Sequence, residues 1–427
     1  MERIIVSGGA PLYGTIDIDG MKNAALPVIF ATVLVGGKCE IHNLPLVSDI
    51  EGALEIISEL GAQVIRKDSH TVTVDTTNMT VSEANSDIAK KMRASYYLIG
   101  AELGRFGKAN VSFPGGCDFG LRPIDQHIKG FLKLGANIHV ESGNIEGEAP
   151  EGLKGSNVFF DIVSVGATVN IILAAVLAEG QTVIENAARE PHIVDLSNFL
   201  NMCGADIKGA GTDTIRIRGV ESLHGCSYTI IPDMIEAGTY MTAVAAACGD
   251  VTLCNLIPKH MESVTAKLEE MGVTVIEYDD SIRIIRNTDQ KLNPCNIKTM
   301  PYPGFPTDMQ PQFGALLCYA NGAGRINEAV WENRFKYIDE LKRMGADISV
   351  SGRIATVNGK GSLTGASVRA CDLRGGAAMV VAALAAEGIT SIDDVHLIER
   401  GYDNIVGKLI GLGAQIKKMT VASPEPF

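Results

Sequence analysis

A short phrase built on Leu-Gly-Ala recurs six times along the 427-residue chain, and only a fold that repeats with it is admissible. It reads LGAQVI from residue 60, LGANIHV from 134, CGADIKG from 203, MGVTVI from 271, MGADISV from 344 and LGAQIKK from 412. The glycines, Gly61, Gly135, Gly204, Gly272, Gly345 and Gly413, stand about 70 residues apart, and self-similarity at a steady period marks one structural unit used repeatedly. Each phrase follows an amphipathic stretch such as IDQHIKGFLKLGA and precedes an alternating one such as TVTVD or TIRIRGV. A helix therefore closes at a C-terminal glycine and strands follow it. Upstream in each unit lies a more apolar helix that also ends at a glycine, as in NIILAAVLAEG, YMTAVAAACG and MVVAALAAEG.

A helix apolar nearly all round belongs in the interior, whereas an amphipathic one covers a sheet. The predicted architecture is α/β, with two helices and several strands per unit, buried helices inside and sheets outside them. Three units per group make two similar domains, predicted at residues 22–230 and at 1–21 plus 231–427, with crossings at DIDGMKN and YTIIPDM. The opening strand, RIIVSGG, must then pair with the C-terminal half. An apolar content of 46% suffices for such cores. The longest apolar stretches, AAMVVAALAA among them, are about half the ~20 residues that span a bilayer, so they read as buried helices and no membrane association is expected.

Aligned on their glycines, the units place MKNAALP, MRASYYL, VSVGATVN, MIEAGTYM, PTDMQPQF and DLRGGAAM at equivalent positions, the predicted starts of the six apolar helices. Lys22, Arg93 and Arg374 then sit where the helix dipole is positive, which disfavours a fixed cation by about 0.3–1 kcal/mol unless an anion is near. Arg122, Arg334 and Arg400 each fall about 11 to 13 residues before a closing glycine, again at predicted helix starts. Free N–H groups at helix starts favour phosphate or carboxylate, so six cations gathered there point to a small polyanionic ligand. The net charge of −13 excludes a polyanion-binding surface over the whole molecule and, with 5% aromatic residues, argues against nucleic acid, yet it permits a local basic pocket. The alternative is a set of arginines paired with neighbouring acids, Asp372 beside Arg374 or Glu399 beside Arg400.

Nine cysteines are scattered singly, with no CxxC pair and no Cys/His ligand spacing, so neither a disulfide framework nor a metal site is expected. Reduced thiols in a cytoplasmic protein are the expectation, and the start, MERIIVSGGAPLYG, is unlike a signal peptide. One thiol stands apart. Cys117 lies in FPGGCDFGLRP, where Gly115, Gly116 and Gly120 predict an exposed loop rather than a core strand. The competing reading is packing, since a lone cysteine usually behaves as a small buried hydrophobe.

Taken together, GMKNAALP, FPGGCDFGLRPIDQH, SVGATVNIILAAVLAEGQTVIENAAREP, FPTDMQPQF, ENRF, DLRGGAA and RGYDNI resemble the UDP-N-acetylglucosamine 1-carboxyvinyltransferase family of enolpyruvyl transferases, in order and essentially from end to end. The resemblance implies a two-domain inside-out α/β barrel, six βαβαββ units in two pseudo-threefold domains, with the active site in the cleft between them. It implies transfer of the enolpyruvyl group of phosphoenolpyruvate to the 3′-hydroxyl of UDP-N-acetylglucosamine by addition and elimination, releasing phosphate. That is the first committed step of peptidoglycan synthesis, with no cofactor and no metal. Both substrates are anionic.

By the same resemblance, Lys22, Arg122 and Arg400 hold the phosphoenolpyruvate phosphate and carboxylate, with Arg334 and Arg374 supporting the phosphate site and domain closure. Arg93, the segment Arg122, Pro123, Ile124, Asp125 and Gln126, and the segment Ile162, Val163, Ser164 and Val165 hold the UDP-sugar. Asn23 lies beside both substrates and Val330 near the sugar. Cys117 matches the acid that protonates the methylene carbon, and Asp308 the base that activates the sugar hydroxyl. On local sequence alone Asp308 reads instead as a helix N-cap.

Arg122 and Lys22 favour a Cys117 thiolate. The resemblance accordingly implies a covalent adduct there, the 2-(S-cysteinyl)pyruvic acid O-phosphothioketal, and alkylation by the epoxide fosfomycin. Ile162 departs from a lysine that some relatives carry, which puts one nucleotide contact in doubt. Asp49, Glu190 and Asp233 are candidates for orienting the cations or the sugar amide, and His127 is a candidate with a structural alternative. Two rival readings stand: a 5-enolpyruvylshikimate-3-phosphate synthase-like enzyme, and a catalytically silent UDP-sugar-binding paralogue.

Overall fold

In the computed structural model, which describes residues 2–80, 93–112, 124–141 and 143–420, the six repeated glycines close six helices in one way. Their φ angles are +96°, +88°, +102°, +91°, +91° and +94° in chain order, a left-handed conformation that glycine adopts without a Cβ penalty. Each glycine N–H donates to the carbonyl three residues back and the following N–H to the carbonyl five back, as Gly135 to Leu132 with Ala136 to Phe131, or Gly413 to Ile410 with Ala414 to Leu409. These are Schellman terminations, which satisfy carbonyls left open at a helix end. The recurring phrase is therefore a helix stop that turns the chain into a strand.

Twelve helices lie among the described residues. They are α1 (Lys22–Val35), α2 (Ser48–Glu59), α3 (Tyr97–Phe106), α4 (Asp125–Lys133), α5 (Val165–Ala175), α6 (Pro191–Met202), α7 (Met234–Ala247), α8 (Glu262–Glu270), α9 (Gln310–Cys318), α10 (Tyr337–Arg343), α11 (Leu373–Ala385) and α12 (Ile405–Gly411). The odd-numbered ones are the apolar set. Every residue of α7 is buried, and every residue of α1 except Asn23. α1, α3 and α5 pack on one another, as do α7, α9 and α11. Burying side chains such as Ile29 and Phe30 contributes about 1.5–3 kcal/mol each. The even-numbered helices bury one face only. α2 turns Ile50, Ala53, Leu54, Ile56 and Ile57 inward and leaves Glu51, Glu55 and Glu59 exposed.

The complete unit is legible in one stretch: strand Asn296–Lys298, α9, strand Asn321–Asn327, α10, then the hairpin Ile348–Ser351 and Ile354–Lys360. Its first two strands are parallel and its last two antiparallel. Among the described residues five sheets of this kind have four strands and one has three.

The chain divides into two compact units, one combining residues 2–19 with 232–420 and the other drawn from 20–231. In the first, strand Glu2–Ser7 lies between Ile389–Asp393 and Gln415–Thr420, antiparallel to both, with Ile4 opposite Ile392 and Lys418. The opening strand does pair with the C-terminal half, as the repeats require. In the second, Ser227–Thr229 pairs parallel with Lys38–His42, so the last strand completes the first sheet. At Gly20 a Cβ would stand 1.6 Å from the Asn43 carbonyl oxygen, so only glycine fits where the chain enters this unit. No described helix is long and apolar enough to cross a membrane.

The helix starts depart from the sequence expectation at two arginines. Lys22 and Arg374 occupy the first turns of α1 and α11, and Arg93 opens a 3-10 turn, Arg93–Tyr96, ahead of α3. Arg334 lies instead in irregular backbone three residues before α10, and Arg400 in a turn five before α12. For α12 the cause is Asn404, whose left-handed backbone (φ +46°) and side-chain bond from the Gly407 N–H fix the helix start behind it.

Candidate active site

In the unit formed by residues 2–19 and 232–420, a carboxylate and two buried guanidiniums converge. Asp308 sits in the 3-10 turn Thr307–Met309 that leads into α9. The cap positions of that turn and of α9 fall on Pro306 and Met309, so Asp308 is not the N-cap residue of either. Arg334 Nη2 donates to Asp308 Oδ1 at 2.9 Å, and Arg374 Nε to Oδ2 at 3.3 Å. The side chains of both arginines are 4% exposed, that of Asp308 27%.

Arg374 is held from several sides. The Asp372 carboxylate accepts the backbone N–H groups of Arg374 and Gly375, capping α11, and so does not serve as the side chain's ion partner in the way its adjacency suggested. The guanidinium carbon lies 5.3 Å from the centre of the Tyr402 ring, a cation–π distance. Burial alone would weaken its charge, but Tyr402, Asp308 and Asp233 outweigh that and raise its pKa above the ordinary arginine value. Its Nη1 is buried and has no hydrogen-bond partner among the described residues. An anionic oxygen is the natural acceptor for such a donor. Tyr402 is itself fixed, its hydroxyl 2.8 Å from Thr239 Oγ1 and 3.2 Å from Gln312 Nε2.

A buried acid that the sequence analysis missed organises this site. Glu328 is fully buried and accepts from Thr299 Oγ1 (2.8 Å), Thr307 Oγ1 (2.9 Å), and the backbone N–H groups of Val330 (2.9 Å) and Trp331 (3.0 Å). One carboxylate thereby ties the turn carrying Asp308 to the segment carrying Val330 and Arg334. Asp233 caps α7, accepting from Ile235 N–H at 2.7 Å. Arg400 is half-buried in the turn before α12, and neighbouring Glu399 accepts from Lys418.

In the unit formed by residues 20–231, Lys22 is the first residue of α1, and its Nζ donates to Asp49 Oδ2 at 3.0 Å. It is only 7% exposed, a buried cation at the positive end of a helix dipole. Asn23 beside it is half-buried. Gln126 links the start of α4 to the approach to α5, accepting from Asp161 N–H at 3.0 Å and donating to Asp161 Oδ2 at 3.2 Å. Ser164 caps α5 through Ala167 N–H at 3.3 Å. Val163 and Val165 are half-buried, Ile162 is 56% exposed, Ile124 is half-buried and Asp125 exposed. Glu190 occupies the N-cap position of α6 without a side-chain cap bond.

His127 is structural in its contacts. Burial pushes its pKa down to about 4, and the neutral ring stands 2.9 Å from Asn170 Nδ2 through Nδ1 and edge-on to Tyr96. Cys117, Arg122 and Pro123 lie outside the described residues, as does the side chain of Arg93.

The EPSP synthase (3-phosphoshikimate 1-carboxyvinyltransferase) family matches residues 6–409. The structure is similar to the enolpyruvyl transferase NikO from Streptomyces tendae, 26% identical with a TM-score of 0.87 over 99% of both chains. It is also similar to an EPSP synthase from Acinetobacter baumannii, 20% identical with a TM-score of 0.74 over 98% of this chain and 100% of that one. The fold is that of the enolpyruvyl transferases, as the resemblance led us to expect.

Within that class the sequence comparison is narrower. A Clostridium botulinum protein named UDP-N-acetylglucosamine 1-carboxyvinyltransferase is 54% identical over 420 residues, 98% of this chain and 100% of its own. One from Caldanaerobacter subterraneus subsp. tengcongensis, named UDP-N-acetylglucosamine 1-carboxyvinyltransferase 3, is 55% identical over 416 residues, 97% of this chain and 99% of its own. The chain belongs to the UDP-N-acetylglucosamine 1-carboxyvinyltransferase family.

Proposed function

We propose that this chain transfers the enolpyruvyl group of phosphoenolpyruvate to the 3′-hydroxyl of UDP-N-acetylglucosamine, releasing phosphate, in the first committed step of peptidoglycan synthesis. The observation that carries the reading is 54% identity over 98% of the chain with a relative named for that carboxyvinyl transfer.

In the addition step, Cys117 gives a proton to the methylene carbon C3 while the sugar 3′-oxygen bonds to C2 and yields its proton to Asp308. In the elimination step, a proton leaves C3, the bond from C2 to the phosphate oxygen breaks, and the double bond of the transferred group is restored. Asp308 meets substrate in the grip of Arg334 and Arg374. A phosphate that competes for those guanidiniums, and for the Arg374 Nη1 donor, loosens the grip and leaves the carboxylate to take the proton.

Lys22, Arg122 and Arg400 hold the phosphate and carboxylate of phosphoenolpyruvate. Asn23 lies beside both substrates and Val330 near the sugar, while Arg93, residues 122–126 and residues 162–165 hold the nucleotide-sugar. A Cys117 thiolate that adds to C2, with C3 taking a proton, forms the phosphothioketal adduct, and the same thiolate opens fosfomycin. Addition and elimination at one carbon call for no redox group. A cytoplasmic setting suits the reduced cysteines, and a net charge of −13 suits small anions held in a local site better than nucleic acid.

Phosphate release from phosphoenolpyruvate on addition of UDP-N-acetylglucosamine tests the proposal. Release that stops on fosfomycin treatment supports it. Binding of the UDP-sugar without any release supports the silent-paralogue reading in its place.

A further inference from the structure

We propose that Cys39, Cys203 and Cys226 form a binding site for a thiophilic cation of the zinc class, with His224, whose ring nitrogens lie outside the thiol cluster and must swing in, as its fourth ligand. Three separate stretches supply the thiols within the unit formed by residues 20–231. Cys39 lies in strand Lys38–His42, Cys203 is the C-cap residue of α6, and Cys226 immediately precedes strand Ser227–Thr229. The Sγ atoms all lie within 4.8 Å of one another, and those of Cys203 and Cys226 are 3.3 Å apart. A tetrahedral zinc with bonds of about 2.3 Å needs sulfurs about 3.8 Å apart, so small shifts close this triangle on the ion.

Two sulfurs in contact would suit a disulfide equally well. The third, on Cys39, is what a disulfide does not need and a metal does. Cys39 and Cys203 are fully buried and make a water-excluded floor, while half-buried Cys226 and exposed His224 give an entry path. His224 is already tied to the site: its backbone N–H donates to the Cys203 carbonyl at 2.8 Å. Its ring lies over Gly204, where a Cβ would stand 3.2 Å from Nε2, so the glycine that stops α6 also makes room for the imidazole. Thiolate and imidazole donors are the set that selects zinc over harder cations. Each ligating thiol passes its proton to solvent as it binds. The cation would clamp the end of α6 to both strands of the Lys38–His42 and Ser227–Thr229 pair, where the last strand of the unit closes its first sheet. The sequence expectation of no metal site rested on spacing along the chain, which ligands at positions 39, 203, 224 and 226 escape.

Cobalt(II) is the probe, added to the reduced, chelator-treated full chain. The expected result is one equivalent bound, with thiolate-to-cobalt charge-transfer absorption and the visible bands of a tetrahedral site, both bleached by zinc. The bands persist in Cys117→Ser and vanish in Cys226→Ser, whose urea midpoint no longer rises with zinc as that of the unsubstituted chain does. In the unsubstituted chain, zinc also slows alkylation of Cys226, read by peptide mass, which keeps the test decisive should the variant fail to fold. The absence of stoichiometric bands, bands that survive in a folded Cys226→Ser, or an unchanged alkylation rate at Cys226 overturns the proposal.

Discussion

Replacing Asp308 with asparagine removes one charge and little volume, so its consequences isolate the ion-pair geometry. The amide can keep one acceptor toward Arg334 or Arg374, but its NH2 then faces the other guanidinium, donor against donor. Breaking a buried ion pair by removing one partner costs about 3–5 kcal/mol. Asp308 is 27% exposed and Arg374 keeps its Tyr402 contact, which brings the expected loss down to about 2–3 kcal/mol. For a folding unit of this size, that lowers the melting temperature by about 4–12 °C.

The assay is a double-mutant cycle in urea among the unsubstituted chain, Asp308→Asn, Arg374→Met and the double variant. Once Arg374 is gone, Asp308→Asn has one cation fewer to abandon, so the double variant's loss falls short of the sum of the two single losses by at least about 1 kcal/mol. Turnover of Asp308→Asn falls by about 10²–10⁴, the range for loss of a positioned base. Losses that add to within about 0.3–0.5 kcal/mol would show the carboxylate and the Arg374 guanidinium to be uncoupled, contrary to the site described above.

Cys117→Ser should lose nearly all turnover and the mass increase on fosfomycin treatment, because a serine hydroxyl is a far weaker acid and nucleophile; turnover like that of the unsubstituted chain would make Cys117 a packing residue. Gly135→Ala tests the helix stops. Its Cβ meets nothing within 4 Å, so the cost is that of the +88° φ alone, about 1–2 kcal/mol in urea denaturation, and no loss would contradict the left-handed cap. Burial pushes the Glu102 carboxyl up to about 8 from an ordinary 4.5, so the folded chain keeps a proton that the unfolded chain has lost between those values. Stability therefore falls as pH rises through that window, by at most ~1.4 kcal/mol per unit from this group. Glu102→Gln should flatten the slope, and an unchanged pH profile would place the charge of Glu102 in solvent.

The repeat was legible because a Schellman stop demands a residue type: six glycines at positive φ leave a mark that survives drift in everything around them. The inner helices were legible because burial on all sides strips a stretch such as Met234–Ala247 of any polar face. Helix starts were less so. Arg334 and Arg400 align with the closing glycines, yet α10 and α12 are each only seven residues long, and the segments before them absorb the difference. Asp308 read locally as a cap because its true partners, Arg334 and Arg374, are distant in sequence and near only after folding. Glu328 left no signal at all. Its four partners come from positions 299, 307, 330 and 331, and nothing in a lone glutamate announces that it is buried.

Phosphate release from phosphoenolpyruvate, measured with UDP-N-acetylglucosamine and with shikimate 3-phosphate as alternative acceptors, tests the central claim most directly. Release with the UDP-sugar alone, together with a product heavier than the acceptor by one enolpyruvyl group, is the predicted result. Release with shikimate 3-phosphate and none with the UDP-sugar would contradict it.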